Sequence, residues 1–254
     1  MKRTVFIMFV ALITFGLIAC EQQNQIKEKE IIHDTITVVV HDTVNLTAGE
    51  YVYNVPCKVF VIHPELEGKA LLMLWLHGGV HAGQKNFTLL DWGATEYTQA
   101  PKKMKEYLER TDKKAIILLP ICKHADTSAL QSWPDCWRDI EKMIEGYVQK
   151  DLVDKNRIYV SGSSDGGTGT WQYASQHPDV FAAGISLSSS LCLGSSIPVY
   201  WFTTKSEGDQ SARADMLNAQ GSNVHYKYCD YATHGGDDKE ITDSLLDIVF
   251  SIRK

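Results

Sequence analysis

The chain has 254 residues, 44% of them hydrophobic and 22% charged, with a formal net charge of -6. This is the composition of a folded globular protein; it excludes a disordered chain and a collagen-like repeat, and an acidic balance without a basic run speaks against nucleic-acid binding. The length allows one large domain or two small ones, with ample apolar residues for a core.

The first elements are not part of that core. Lys2 and Arg3 form a basic start, and the following residues to Ala19 are almost wholly apolar and uncharged. That is the layout of an export signal, too short to span a bilayer comfortably. It ends in Leu17-Ile18-Ala19-Cys20, which resembles the lipobox of bacterial lipoproteins. The resemblance implies cleavage before Cys20, acylation of that cysteine and a lipid-anchored location in the cell envelope. Losing Lys2 and Arg3 takes the net charge from -6 to -8. Residues 20–50 read as a tether and stalk: a polar run free of aromatics, then two echoes, Ile32-His33-Asp34-Thr35-Ile36 and Val40-His41-Asp42-Thr43-Val44. Two copies of His-Asp at an even spacing fit an extended strand better than a metal site.

From Tyr51 to the end a single domain is expected, in which strands and helices take turns. Strands are expected at 58–63, 70–76, 115–119, 157–161, 181–187, 199–202 and 224–228. Helices are expected at 101–110, 137–150, from about 165 to 176, at 209–220 and at 239–252. Several strands are continuous apolar runs, ALLMLWL above all, as strands covered on both faces must be. The expected architecture is therefore α/β, a mostly parallel central sheet with helices on both faces and no large lid.

Gly162-Ser163-Ser164-Asp165-Gly166 fits G-x-S-x-G with Ser164 at its centre, between an expected strand and an expected helix. A nucleophile on so sharp a turn brings the residues two before and two after it together, so both must lack bulk. Ser163 fails this test, its flanks being Ser161 and Asp165. A serine hydroxyl needs a base, and on such a fold the chain order after the serine is acid, then histidine, each following a late strand. His234, in the small-residue loop Ala232-Thr233-His234-Gly235-Gly236, meets that demand; His177 ends a helix and His225 lies within a strand. The acid should follow the strand at 199–202, where Glu207 and Asp209 both stand. Asp209 could equally cap the next helix, so Glu207 is favoured and Asp209 stays open. A second oxyanion donor beside the N–H of Asp165 is expected from the His77-Gly78-Gly79-Val80 turn, in the Gly79–Val80 region.

These stretches resemble an α/β-hydrolase of the esterase and prolyl-oligopeptidase-like group, with feruloyl-esterase and polyhydroxyalkanoate-depolymerase relatives. LWLHGG ending at Gly79, the long stretch 154–189, IPVYWFTTKSEGD (197–209) and ATHGG carry the resemblance. It implies Ser164 as nucleophile and His234 as base. In that group the acid is usually Asp where this chain has Glu207, and the residue after the nucleophile is usually apolar where this chain has Asp165. The implied activity is a serine-dependent carboxylic-ester hydrolase acting on small or polysaccharide-borne esters of carbohydrate or plant origin, with no cofactor and no metal. A serine peptidase of similar fold and a non-catalytic binding lipoprotein are the rivals. Trp133 and Trp137, in an expected loop, and His77 are candidates for contacting substrate. Beyond Cys20, the five cysteines Cys57, Cys122, Cys136, Cys192 and Cys229 are an odd number, and Cys122–Cys136 and Cys192–Cys229 are conceivable pairs. Oligomeric state is not legible.

Overall fold

Apolar strands that must be covered on both sides dictate the layering. The computed structural model describes residues 37–39, 57–78, 99–120 and 132–254. The strands are β1 (Thr37–Val39), β2 (Cys57–Ile62), β3 (Ala70–Leu76), β4 (Ala115–Pro120), β5 (Val153–Ser163), β6 (Ala183–Leu187), β7 (Val199–Thr203) and β8 (Val224–Tyr228). Between them lie α1 (Ala100–Arg110), α2 (Ser132–Gln149), α3 (Asp165–Gln176) and α4 (Ser211–Ala219), and after β8 come a short 3-10 turn (Gly236–Glu240) and α5 (Asp243–Ser251). The eight strands form one sheet in the order β1-β2-β4-β3-β5-β6-β7-β8. From β4 to β8 every pairing is parallel, while β1–β2 and β2–β4 are antiparallel. All described residues fall in one compact unit, Thr37–Lys254.

Alternation along each strand divides the core in two. In β3, Leu72, Leu74 and Leu76 face α2 and α3, with Ile140, Trp133 and Trp171 in the same cluster. Leu71, Met73 and Trp75 face the other way, toward Met104 and Leu108 of α1 and Val249 and Phe250 of α5. Every residue of β3 is buried, which is why the run carries no polar residue. The α/β architecture with helices on both faces is thus what forms.

Three details depart from the sequence reading. Thr37–Val39, inside the expected stalk, pairs as an edge strand against Phe60, Val59 and Lys58. The α2 helix starts at Ser132, five residues before its expected start at Trp137. Trp133 and Trp137 therefore sit on a helix and not in a loop. Cys192 and Cys229 are both free thiols, and they cannot pair because they belong to core clusters on opposite faces of the sheet. Cys57 is also free, Cys136 is buried, and Cys122 lies outside the described residues. So do Cys20 and the whole expected signal segment.

Candidate active site

Parallel strands deliver their following loops to one edge of the sheet, and the candidate residues all leave from there. Gly78 follows β3, Ser164 follows β5, Ser188 follows β6, Glu207 follows β7, and His234 follows β8.

Ser164 sits between β5 and α3 with φ 59° and ψ -120°, a left-handed conformation that a residue with a Cβ adopts only under constraint. The constraint is visible. Its N–H donates to Leu187 O at 2.9 Å, and its carbonyl accepts from Thr168 N at 3.0 Å. The flanking glycines are required by close approach: a Cβ on Gly162 would lie 2.3 Å from Gly166 O, and one on Gly166 only 1.9 Å from Leu76 O. Those neighbours are backbone and cannot swing aside. Gly166→Ala is therefore expected to cost about 3 kcal/mol of stability, the upper range for overpacking. A thermal melt checks this; a variant melting with the wild type would show that β3 and α3 can separate freely.

Gly78 runs beside the serine, and a Cβ on it would stand 3.2 Å from Ser164 Cβ and 3.8 Å from Ser164 Oγ. The turn after β3 is thus brought to the nucleophile position; Gly79 and Val80 themselves lie outside the described residues. His77 is buried, and its Nδ1–H donates to Gly78 O at 2.6 Å. Burial holds its pKa below the ordinary histidine value, so the ring is neutral. It stands edge-on to Trp133, with centroids 4.9 Å apart. Trp133 is only 2% exposed and offers no stacking face to a ligand. Trp137 is half-buried, stacked on His177 at 3.7 Å and edge-on to Tyr173. Both tryptophans pack the protein's own core, because the early start of α2 turns them onto α3. Asp165 opens α3 directly after the serine, and its charge favours protonation of both His234 and His77.

His234 and Glu207 meet: His234 Nδ1 lies 2.6 Å from Glu207 Oε1. The carboxylate can only accept, so Nδ1 carries the proton and Nε2 is left with its lone pair. Glu207 is positioned by its own loop. Its other oxygen accepts from Thr204 N at 2.8 Å and from Thr204 Oγ1 at 2.7 Å, while Glu207 N and Gly208 N both donate to Thr204 O. The Glu207 side chain is 6% exposed and that of His234 is 42% exposed. Burial alone would raise the Glu207 pKa, but the hydrogen bonds from His234 and Thr204 outweigh it and leave it below the ordinary value. The hydrogen bond to Glu207 raises His234 above the ordinary histidine value, partly opposed by burial and assisted by the charges of Glu207, Asp237 and Asp165.

Asp209 does not join this group. Its Oδ1 accepts from Ser211 N at 2.9 Å and from Tyr226 OH at 3.3 Å, at the exposed start of α4. The alternative left open for Asp209 is corrected: the carboxylate is engaged at the helix start, where backbone N–H groups lack partners. Sequence reasoning also missed Asp237. It is fully buried beside the histidine loop, and burial pushes its carboxyl up to about 6. An acidic pair, Asp237-Asp238, was visible, but nothing in the sequence tells which of the two turns inward.

Comparison with known proteins accords with this geometry. The profile of the prolyl oligopeptidase family matches residues 130–223, less than half of the chain. Among curated protein sequences none matches. Among solved structures, a thermostable esterase shares 20% identity over 85% of this chain and 63% of its own, with a TM-score of 0.61. The chain thus spans less than two thirds of that esterase. A feruloyl esterase module from Clostridium thermocellum, in complex with sinapinate, shares 14% identity over 84% of this chain and 88% of its own, with a TM-score of 0.57. The acylaminoacyl peptidase of Pyrococcus horikoshii shares 14% identity over 87% of this chain and 42% of its own, with a TM-score of 0.54. The chain has the α/β-hydrolase fold.

Proposed function

We propose that the protein is a serine hydrolase that cleaves carboxylic esters through an acyl-enzyme, with Ser164 as nucleophile, His234 as base and Glu207 as the acid behind it. The observation that carries this reading is the His234–Glu207 hydrogen bond on loops that leave the same sheet edge as the strained Ser164 turn. Ser164 Oγ attacks the ester carbonyl as His234 Nε2 takes its proton, and Glu207 holds the resulting imidazolium. The N–H of Asp165, at the start of α3, and a donor from the Gly79–Val80 region receive the negative charge on the carbonyl oxygen. His234 then returns the proton to the departing alcohol, and water, activated in the same way, releases the acid and restores Ser164.

The favoured substrates are small or polysaccharide-borne esters of carbohydrate or plant origin. Support comes from the structural neighbours, two of which are named as esterases, one of them a feruloyl esterase module. The family match at 130–223 favours a second reading, a serine peptidase using the same residues. The Leu17–Cys20 stretch supports placing the enzyme on the cell envelope by a lipid on Cys20.

The test is a panel of acetylated sugars, feruloyl esters and peptides, run beside covalent labelling with a fluorophosphonate probe. Labelling with ester turnover is expected. Labelling with peptide cleavage alone transfers the site to the peptidase reading, and a wild-type chain that neither labels nor hydrolyses leaves a binding protein on a hydrolase fold.

A further inference from the structure

The loop that carries His234 is held to the sheet by a network outside the serine, histidine and glutamate. Asp237 is 0% exposed, and its two oxygens are both engaged by one residue: Oδ2 accepts from Ser188 N at 2.5 Å and Oδ1 from Ser188 Oγ at 2.7 Å. Ser188 Oγ in turn accepts from Gly235 N at 2.8 Å. Gly235 directly follows His234, so three hydrogen bonds tie the segment just after the histidine to Ser188 at the end of β6. Ser188 has φ 47°, a left-handed conformation for a residue with a side chain, and it follows Leu187, whose carbonyl accepts from Ser164 N. The histidine loop and the nucleophile turn are therefore fastened to adjacent residues, Ser188 just past β6 and Leu187 at its end.

We propose that Asp237 is a positioning residue for His234: it clamps the histidine loop onto Ser188, and its negative charge acts with Glu207 in holding the imidazolium. This rests on the serine-hydrolase reading above.

The charges around the clamp set the direction of its effect. Glu207, from the loop after β7, faces Asp237 as a like charge. Cys229, from the end of β8, also lies within its field, with its thiol raised to about 12 mainly by burial. His234 is the cation that Glu207, Asp237 and Asp165 all favour. Asp237 loses its proton at about 6, against about 3.9 in an unfolded chain. Between those values the folded chain binds more protons than the unfolded one, so stability falls as pH rises through that window. His234 titrates above the ordinary value of about 6.5, so Asp237 is ionised where the acid limb of activity falls.

The experiment compares wild type, Asp237→Asn and Ser188→Ala, with fluorophosphonate labelling rates and para-nitrophenyl acetate hydrolysis measured from about pH 5 to about pH 9. Circular dichroism and thermal melts establish that each variant is folded. Asp237→Asn is expected to label about ten- to a hundredfold more slowly, the range for a displaced catalytic group, with KM unchanged. Its acid limb moves to lower pH, because the imidazolium has lost one of its anions. Ser188→Ala keeps the charge and loses two of the three bonds, so its rate falls while its acid limb stays in place. A folded Asp237→Asn whose limb coincides with the wild type overturns the proposal. If that variant does not fold, a Ser188→Ala protein labelling at the wild-type rate overturns it instead. A wild type that never labels sinks the hydrolase reading itself, which is a different result.

Discussion

Ser164→Ala is expected to abolish fluorophosphonate labelling and to lower kcat on esters by about a millionfold, the scale seen when a hydrolase loses its nucleophile. The effect is large because no neighbour can substitute. Ser163 is 4% exposed and belongs to β5, and only Ser164 occupies the turn whose flanking glycines let two backbones touch. The variant should remain folded, since alanine is smaller than serine and the 2.9 Å bond from residue 164 N to Leu187 O is made by the backbone. Intact-mass detection of the probe adduct gives the readout. An alanine variant that labels like the wild type would move the nucleophile elsewhere.

The second large effect separates two carboxylates only two residues apart. Glu207→Gln is expected to lower kcat by about 10,000-fold, whereas Asp209→Asn should leave it within about twofold. A glutamine at 207 can present an amide N–H to His234 Nδ1, which favours the tautomer whose Nε2 already holds a proton. The base is then lost although the ring stays in place. Removing the charge also lowers the His234 pKa, so what activity remains persists to lower pH than in the wild type. Asp209 makes its bonds to Ser211 N and Tyr226 OH, away from the imidazole. Its replacement should register in a melt only as the small loss of a helix-end contact. Equal losses of activity in the two variants would mean that the acid is shared or exchanged.

How legible these features were in the sequence depends on what fixes each of them. β3 was readable residue for residue, because a strand buried on both faces must be apolar throughout and turn residues bound it. The Ser164 turn was readable because its steric demand falls on two glycines at a fixed spacing. The start of α2 was missed for a local reason: Trp133-Pro134-Asp135 looks like a loop, yet proline is tolerated in a first helical turn, where its missing N–H has no partner to lose. That misreading placed two tryptophans in a binding loop when they pack the core. The choice between Glu207 and Asp209 turns on how Thr204 folds back on its own loop, which composition does not encode. Asp237 was invisible because its role follows from burial against Ser188, forty-nine positions earlier.

The strand order also bears on how the chain is made. β3, with no polar residue, is flanked in the sheet by β4 and β5, both of which come later in the chain. A growing polypeptide therefore holds this wholly apolar strand with one edge unpaired until residues 153–163 have been synthesised. Parallel pairing over such separations is slow, and an open apolar edge is the kind of surface that aggregates or recruits a holding chaperone. The sheet can be completed only after its centre has waited for more than half of the chain to follow.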